Sequence, residues 1–324
     1  MGLIDRGVLP YQEPVWGFPW TETPEIVGGG DHRIFYVDPA HPNASDSNQG
    51  TDPQYPFATM TACLTAATNP LIAAFDTVYL CSDLTESVIT PDYSVGPSNI
   101  NIIGAGTTLY APYWDSDDNA AACLDIRAPG YRVKNIRFGG PTTAPCVWLR
   151  CTVPNADDIS IFSVIEDCQL YGQETGLSGI DLFGAPYEVK IRRCEFCFFH
   201  NAGGTACAIT ATNTAWADPC RIKIEDCIFY ENDNHIDASF NVSVIKNNVF
   251  ISQGQYPATI NVDLRGGTRG ENAVVGNQFP DDYSQPGGYW ANAGAPGCWA
   301  GNFSEDTAEA EVGDNGLTTA PPAP

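Results

Sequence analysis

The sequence predicts an all-β fold: a right-handed, single-stranded parallel β-helix with an extended N-terminal arm and a loop-rich C-terminal cap. Two recurring patterns carry this expectation. A six-residue motif recurs between residues 133 and 279, reading aliphatic, two polar residues, a special position, any residue, then Phe or Leu. A triplet with apolar ends, such as Ile180-Asp181-Leu182, falls once per repeat in the same stretch.

The first motif appears as Val133–Phe138, Ile165–Leu170, Ile191–Phe196, Ile224–Phe229, Ile245–Phe250 and Val274–Phe279. Its special position holds Ile136, Cys168, Cys194, Cys227, Asn248 and Asn277, at separations of 32, 26, 33, 21 and 29 residues. Apolar residues at even spacing with polar residues between them describe strands with one buried face. The separations vary too much for a helical repeat, whereas a coil of strands accepts corner loops of any length. Each copy therefore reads as one strand of one turn, with like residues stacked about 4.8 Å apart. Cys168, Cys194 and Cys227 would pack as small apolar groups, and Asn248 and Asn277 would hydrogen-bond from turn to turn. The second column comprises Leu124-Asp125-Ile126, Val147-Trp148-Leu149, Ile180-Asp181-Leu182, Ile209-Thr210-Ala211, Ile236-Asp237-Ala238 and Val262-Asp263-Leu264.

The remaining elements follow in chain order. Residues 1–31 interleave aromatics with prolines and end at Gly28-Gly29-Gly30, which excludes a helix or central strand. Exposed aromatics in an extended arm call for a covering partner, so Tyr11, Trp16, Phe18 and Trp20 are candidate partner-binding residues. Ile34–Pro39 reads as a strand entering a polar loop, and a cap helix follows near 59–70. Val78–Cys81 and Ile100–Gly106 are short strands, the second stopped by glycines. The coil is expected over 32–280. Residues 281–324, rich in Gly, Pro, Asn and Trp and then acidic, should cap its open end.

Tyr36-Val37-Asp38-Pro39, Ser45–Thr51, Pro56–Thr59 and Asp76–Leu80 resemble the N-terminal signature of pectin-lyase-like right-handed β-helix proteins. That superfamily includes pectate lyases, glycoside hydrolases, epimerases, phage tailspikes and virion fibres, so the resemblance implies a fold and leaves the activity open.

Charge excludes some functions. Lys and Arg number 15 against 39 Asp and Glu, for a net charge of −24. Such acidity opposes nucleic acid or an anionic membrane as partner. No run reaches the roughly 20 apolar residues of a membrane helix, and the start lacks an export signal. The twelve cysteines are then expected as free thiols.

The Asp column is the catalytic candidate. With flanking aliphatics inward, Asp125, Asp181, Asp237 and Asp263 point outward. Asp237 and Asp263 would stand about 4.8 Å apart on adjacent turns, and Asp181 and Asp237 about 9.6 Å apart across two. Retaining glycosidases use carboxylates about 5–5.5 Å apart and inverting ones about 6.5–9.5 Å apart. A lyase would need a basic residue, for which Arg265 and Arg269 lie in a loop. Glu166-Asp167, Glu195 and Glu225-Asp226 face Lys190, Arg192, Arg193, Lys223 and Lys246 on neighbouring turns, which predicts cross-turn ion pairs. Cys194 and Cys197 should face opposite sides, and His32, His41, His200 and His235 lack metal spacing, so no metal and no cofactor are expected. His200-Asn201 and Asn234-His235 read as corner residues.

Three functions are compatible with these features. The first is a bacteriophage virion structural protein: a capsid decoration, head fibre or short spike. It would be assembled in the host cytoplasm and held at the virion surface through the arm by the major capsid or another virion protein. The resemblance implies a homotrimer, with a host surface glycan as a further contact, and this reading assigns no catalytic residue. The alternative is a carbohydrate-active enzyme, a glycoside hydrolase or polysaccharide lyase, using Asp181, Asp237 and Asp263. The third is a non-catalytic glycan-binding module using Trp148, Trp216 or Trp290.

Overall fold

The computed structural model describes residues 33–65, 72–92, 94, 96–152, 158–173, 176–212, 218–251, 260–264, 272–279 and 298–304. Its strands form three parallel sheets of ten, nine and seven strands, here called the first, second and third sheets. Each turn visits the three in order, as in Val164–Glu166, Gln169–Tyr171 and Ser178–Gly184. Neighbours within a sheet are one turn apart in sequence, which defines a parallel β-helix.

The core is three inward columns. Ile102, Val133, Ile165, Ile191, Ile224, Ile245 and Val274 stack in register in the first sheet. Trp114, Phe138, Leu170, Phe196, Phe229 and Phe250 do so in the second. The rings of Phe196, Phe229, Phe250 and Phe279 lie parallel, with successive centroids 4.9, 4.9 and 5.0 Å apart. Leu124, Val147, Ile180, Ile209, Ile236 and Val262 line the third. One column slipped by a residue would turn its whole apolar set outward, so burial fixes the register.

The six-residue motif is not one strand. It folds as two strands of two or three residues in different sheets, joined by a bend. The residue before the special position adopts a left-handed backbone: Asn135 (φ 55°), Asp167 (53°), Arg193 (51°), Asp226 (56°), Asn247 (55°) and Gly276 (66°). Asn, Asp and Gly tolerate this region best, which explains their recurrence there; Arg193 is the exception. The bend turns the special residue inward at the corner between sheets.

That corner holds a polar ladder. The Asn248 Oδ1 accepts from the Cys227 N–H at 2.9 Å, and its Nδ2 donates to the Ile224 carbonyl at 3.1 Å. Asn277 repeats this one turn on, accepting from the Asn248 N–H at 2.9 Å and donating to the Ile245 carbonyl at 3.0 Å. Asn302 follows, accepting from the Asn277 N–H at 2.9 Å. Cys168, Cys194 and Cys227 occupy the same corner in the three preceding turns, all buried. All twelve cysteines are free thiols.

The helix near the start spans only Met60–Leu64 rather than 59–70, and Thr65 is already extended. Thr59 caps it through its hydroxyl, and the Glu86 carboxylate receives the Met60 and Thr61 N–H groups at 2.8 and 3.1 Å. Residues 66–71 lie outside the described residues. Winding continues past residue 280: Cys298–Ala300 joins the first sheet and Phe303–Ser304 the second. Asn234 and His235 are not corner residues but part of the strand Asn234–Asp237, and His235 is fully buried.

The outer face of the first sheet gathers charge. The Glu166 carboxylate, itself fully buried, is bound by Arg132 and Lys134 from the turn before and by Arg192 and Arg193 from the turn after. Lys134 and Arg193 also reach Asp167, at 3.3 and 2.7 Å, and Lys246 pairs with Glu225 at 3.3 Å. Cross-turn pairing is thus the arrangement of this strip.

Candidate functional site

The third sheet carries the Asp column. Its outward residues stand in register as Asp125, Trp148, Asp181, Thr210, Asp237 and Asp263. Alternation along each strand puts their aliphatic neighbours in the core, which leaves this column on the outer face. An outward direction does not here mean solvent. Asp125, Asp181 and Asp263 are 3%, 6% and 7% exposed, whereas Asp237 is exposed.

The cover comes from the next outward position two residues on. Arg127 grips the Asp125 Oδ2 with Nε and Nη2 at 3.1 and 2.8 Å. Arg150 forms an ion pair with the same oxygen at 3.0 Å, and its guanidinium lies 3.9 Å above the Trp148 ring. The other Asp125 oxygen, Oδ1, is buried without a hydrogen-bond partner. Burial raises the Asp125 carboxyl above its ordinary range, against the pull of the two arginines.

Asp181 is fastened differently. Its Oδ1 accepts from the Thr212 N–H at 2.9 Å, and its Oδ2 accepts from the Thr212 hydroxyl and the Trp148 Nε1–H, both at 2.9 Å. Burial still leaves its carboxyl raised. With both oxygens occupied, Asp181 holds the turn after Cys207–Thr210 rather than facing a substrate. Asp237 and Asp263 are directly paired on adjacent strands. Their strands lie about 4.8 Å apart, and a retaining glycosidase holds its two carboxyl groups about 5–5.5 Å apart.

The sequence missed the arginine braces. The signal was Asp125-x-Arg127 beside Trp148-x-Arg150, pairs spaced to share a face. It also missed Asn302, whose marker is the dipeptide Gly301-Asn302 matching Gly276-Asn277. Cys194 points into the core corner while Cys197 lies on the outer side of its strand, and among the described residues no group of His, Cys, Asp or Glu is placed to share a metal. Tyr11, Trp16, Phe18 and Trp20, and likewise Trp216, Trp290, Arg265 and Arg269, lie outside the described residues. The virion expectation rests on that arm, so no contact within the fold supports it.

No protein-family model matches the sequence, and no curated protein does. Solved structures do. An alginate lyase from Paenibacillus sp. str. FPU-7 is similar with a TM-score of 0.54 and 11% identity, over 84% of this chain and 95% of that one. The pectin methylesterase of Aspergillus niger gives a TM-score of 0.53 and 13% identity, over 78% of this chain and 83% of that one. A PL6 family alginate lyase, AlyGC, gives 0.50 and 13%, over 84% of this chain and 38% of that one. The fold is therefore that of the pectin- and alginate-lyase-type parallel β-helix proteins. At these identities the likeness is one of architecture.

Proposed function

We propose that the chain is a carbohydrate-active enzyme that cleaves glycosidic bonds on the outer face of the third sheet. The observation that carries this reading is the direct register of Asp237 with Asp263 at the end of an ordered Asp column. Two carboxyl groups at one strand spacing suit the retaining geometry: one attacks the anomeric carbon, and the other protonates the departing oxygen. Water then releases the sugar, with the second carboxylate taking its proton. Trp148, held by Asp181 and stacked under Arg150, supplies an aromatic wall three to four turns away. The solved structures of this fold include enzymes named for alginate and pectin, which supports a polysaccharide as the substrate class.

The test is reducing-end release from a polysaccharide panel by wild type, Asp237→Asn and Asp263→Asn. Wild type should cleave at least one substrate and each variant should lose about 10³-fold or more, on the scale of a lost catalytic group. Azide should restore turnover with a glycosyl azide of inverted configuration in the variant lacking the nucleophile and of retained configuration in the variant lacking the acid–base, which assigns the two roles. Unsaturated uronate products instead of reducing ends would replace hydrolysis with elimination. Unchanged cleavage in both variants would refute the site.

A further inference from the structure

The second sheet carries a separate groove that the Asp column does not use. It has a volume of about 710 Å³ and lies over the outer face of five consecutive turns. Tyr113, Arg137, Gln169 and Glu195 form one outward column in register, and Tyr171, Cys197 and Tyr230 the next. We propose that this groove binds a neutral pyranose chain, as a non-catalytic glycan site distinct from the third-sheet face.

Three features point to that ligand. First, the aromatic strip is continuous. Phe198 places its ring between Tyr171 and Tyr230, with centroids 5.3 Å from each and edge-on geometry. Tyr171 is 43% exposed, and the Phe198 backbone is held in the left-handed region at φ 59°, uncommon for a bulky residue. Tyr171 and Tyr230 are two turns apart, about 9.6 Å, close to the length of two linked pyranose rings. The apolar C–H face of a pyranose covers such rings while its hydroxyls remain at the edge.

Second, the floor offers hydrogen-bonding groups in balanced charge. Gln169 donates to the Glu195 Oε2 at 2.8 Å, which orients that carboxylate and leaves its other oxygen as an acceptor. Arg137 donates Nε to the Ala111 carbonyl at 2.7 Å and lies beside the Tyr113 ring, leaving its terminal nitrogens as donors. Tyr113 is held as a neutral phenol, pushed up to about 12 by burial and by Asp115, and it is hydrogen-bonded to Gln173. One carboxylate and one guanidinium cancel, and the whole chain carries −24, so an anionic ligand gains nothing here that a neutral polyol lacks.

Third, a glycine next to the groove makes room for the Tyr113 side chain that lines it. A Cβ at Gly139 would stand 2.2 Å from the Tyr113 hydroxyl and 2.8 Å from the Asp115 carboxylate. A side chain there would displace Tyr113 from its place in the groove wall.

The experiment titrates the full chain with cello-, xylo-, manno- and chito-hexaose, and with a polyuronate hexamer, by calorimetry. At least one neutral hexaose should bind with a dissociation constant of about 1 mM or tighter. Tyr171→Ala and Tyr230→Ala should each weaken it about ten-fold or more, as loss of an aromatic anchor does. Glu195→Gln, which keeps size and fold, should weaken it measurably even if a tyrosine variant fails to fold. Asp237→Asn should leave the binding unchanged, which separates this site from the cleavage proposal. No neutral binding, binding confined to the uronate, or affinity untouched by Tyr171→Ala, Tyr230→Ala and Glu195→Gln would each overturn it.

Discussion

Replacing Glu166 by Gln should destabilise the protein more than any other single change on its outer faces. The carboxylate is fully buried, and four cations converge on it. Arg192 approaches Oε2 at 2.6 Å, Arg193 reaches the same oxygen at 3.1 Å, and Lys134 stands 3.7 Å from Oε1, beside Arg132. The amide keeps the shape and removes the charge, leaving four mutually repelling cations with Asp167 as their remaining carboxylate. Breaking a buried ion pair by deleting one partner costs about 3–5 kcal/mol. The arginine side chains are 21–38% exposed and can turn partly to water, so the lower end applies, about 3 kcal/mol. At about 2 °C per kcal/mol for a long chain, the melting point should fall by about 6 °C. Urea unfolding at pH 7 followed by circular dichroism checks the first figure and calorimetry the second. The pH dependence is a second readout. Burial alone would raise the Glu166 carboxyl, but Arg132, Lys134 and Arg192 outweigh it and hold it below its ordinary value; Asp167 is lowered too. A depressed folded value gives stability that is complete above the unfolded carboxylate range, about pH 4, and is lost as pH falls through the folded values. Glu166→Gln should flatten that acid limb. A loss under about 1 kcal/mol, or an unchanged acid limb, would refute the network as a stabilising unit.

Other outcomes follow from the same geometry. Asn277→Ala removes an acceptor for the Asn248 N–H and a donor to the Ile245 carbonyl, both buried, and should cost about 2–4 kcal/mol in urea unfolding. His235 is fully buried, and burial pushes it down to about 3. Below the unfolded value of about 6.5 the unfolded chain alone takes the proton, so stability should fall with decreasing pH down to about 3, and His235→Phe should remove that slope. Lys190 and Lys223 face each other in register, so Lys190→Glu should raise stability by about 0.2–1 kcal/mol in the same assay. Of the sequons at Asn43, Asn241 and Asn302, only Asn43 is exposed. Expression through a glycosylating secretory route should therefore load Asn43 alone, as peptide mass spectrometry would show.

The architecture was legible because its cause is periodic. Inward residues at Ile165, Ile191 and Ile224 repeat against polar neighbours, and burial forces them into a column whatever the loops between them do. The corner was less legible. Alternation was carried through Asp167-Cys168 as though the strand ran straight, because a left-handed residue leaves no mark on a hydrophobic pattern. Its mark lies in residue type, Asn, Asp or Gly, and Arg193 obscured even that. The Asp column was placed in the right order, yet its accessibility was not readable. Whether Asp181 faces solvent depends on Thr212, 31 residues later, and on Trp148, 33 residues earlier. Such partners share a face only once the turn lengths are known. The second-sheet groove left no sequence signal beyond scattered Tyr and Phe, since its rings come from separate turns.

The corner also explains how turns separated by 21 to 33 residues can stay in register. Loop length cannot set the alignment, because the loops differ. Each turn instead carries its own lock: a left-handed residue that fixes where the first sheet ends, then an inward residue that engages the turn before it. In the middle turns the lock is a thiol packed in a dry column, where burial drives Cys168 and Cys227 well above the ordinary thiol range and keeps them neutral. From Asn248 onward the lock is an amide that accepts one backbone N–H and donates to one carbonyl of the preceding turn. The thiol lock reaches the preceding turn only through long S–H contacts to the Val133, Ile165 and Ile191 carbonyls at 3.6–3.8 Å, while the amide lock both accepts and donates at 2.9–3.1 Å. The change of residue therefore supplies directional hydrogen bonds in the described turns where the thiol column no longer continues.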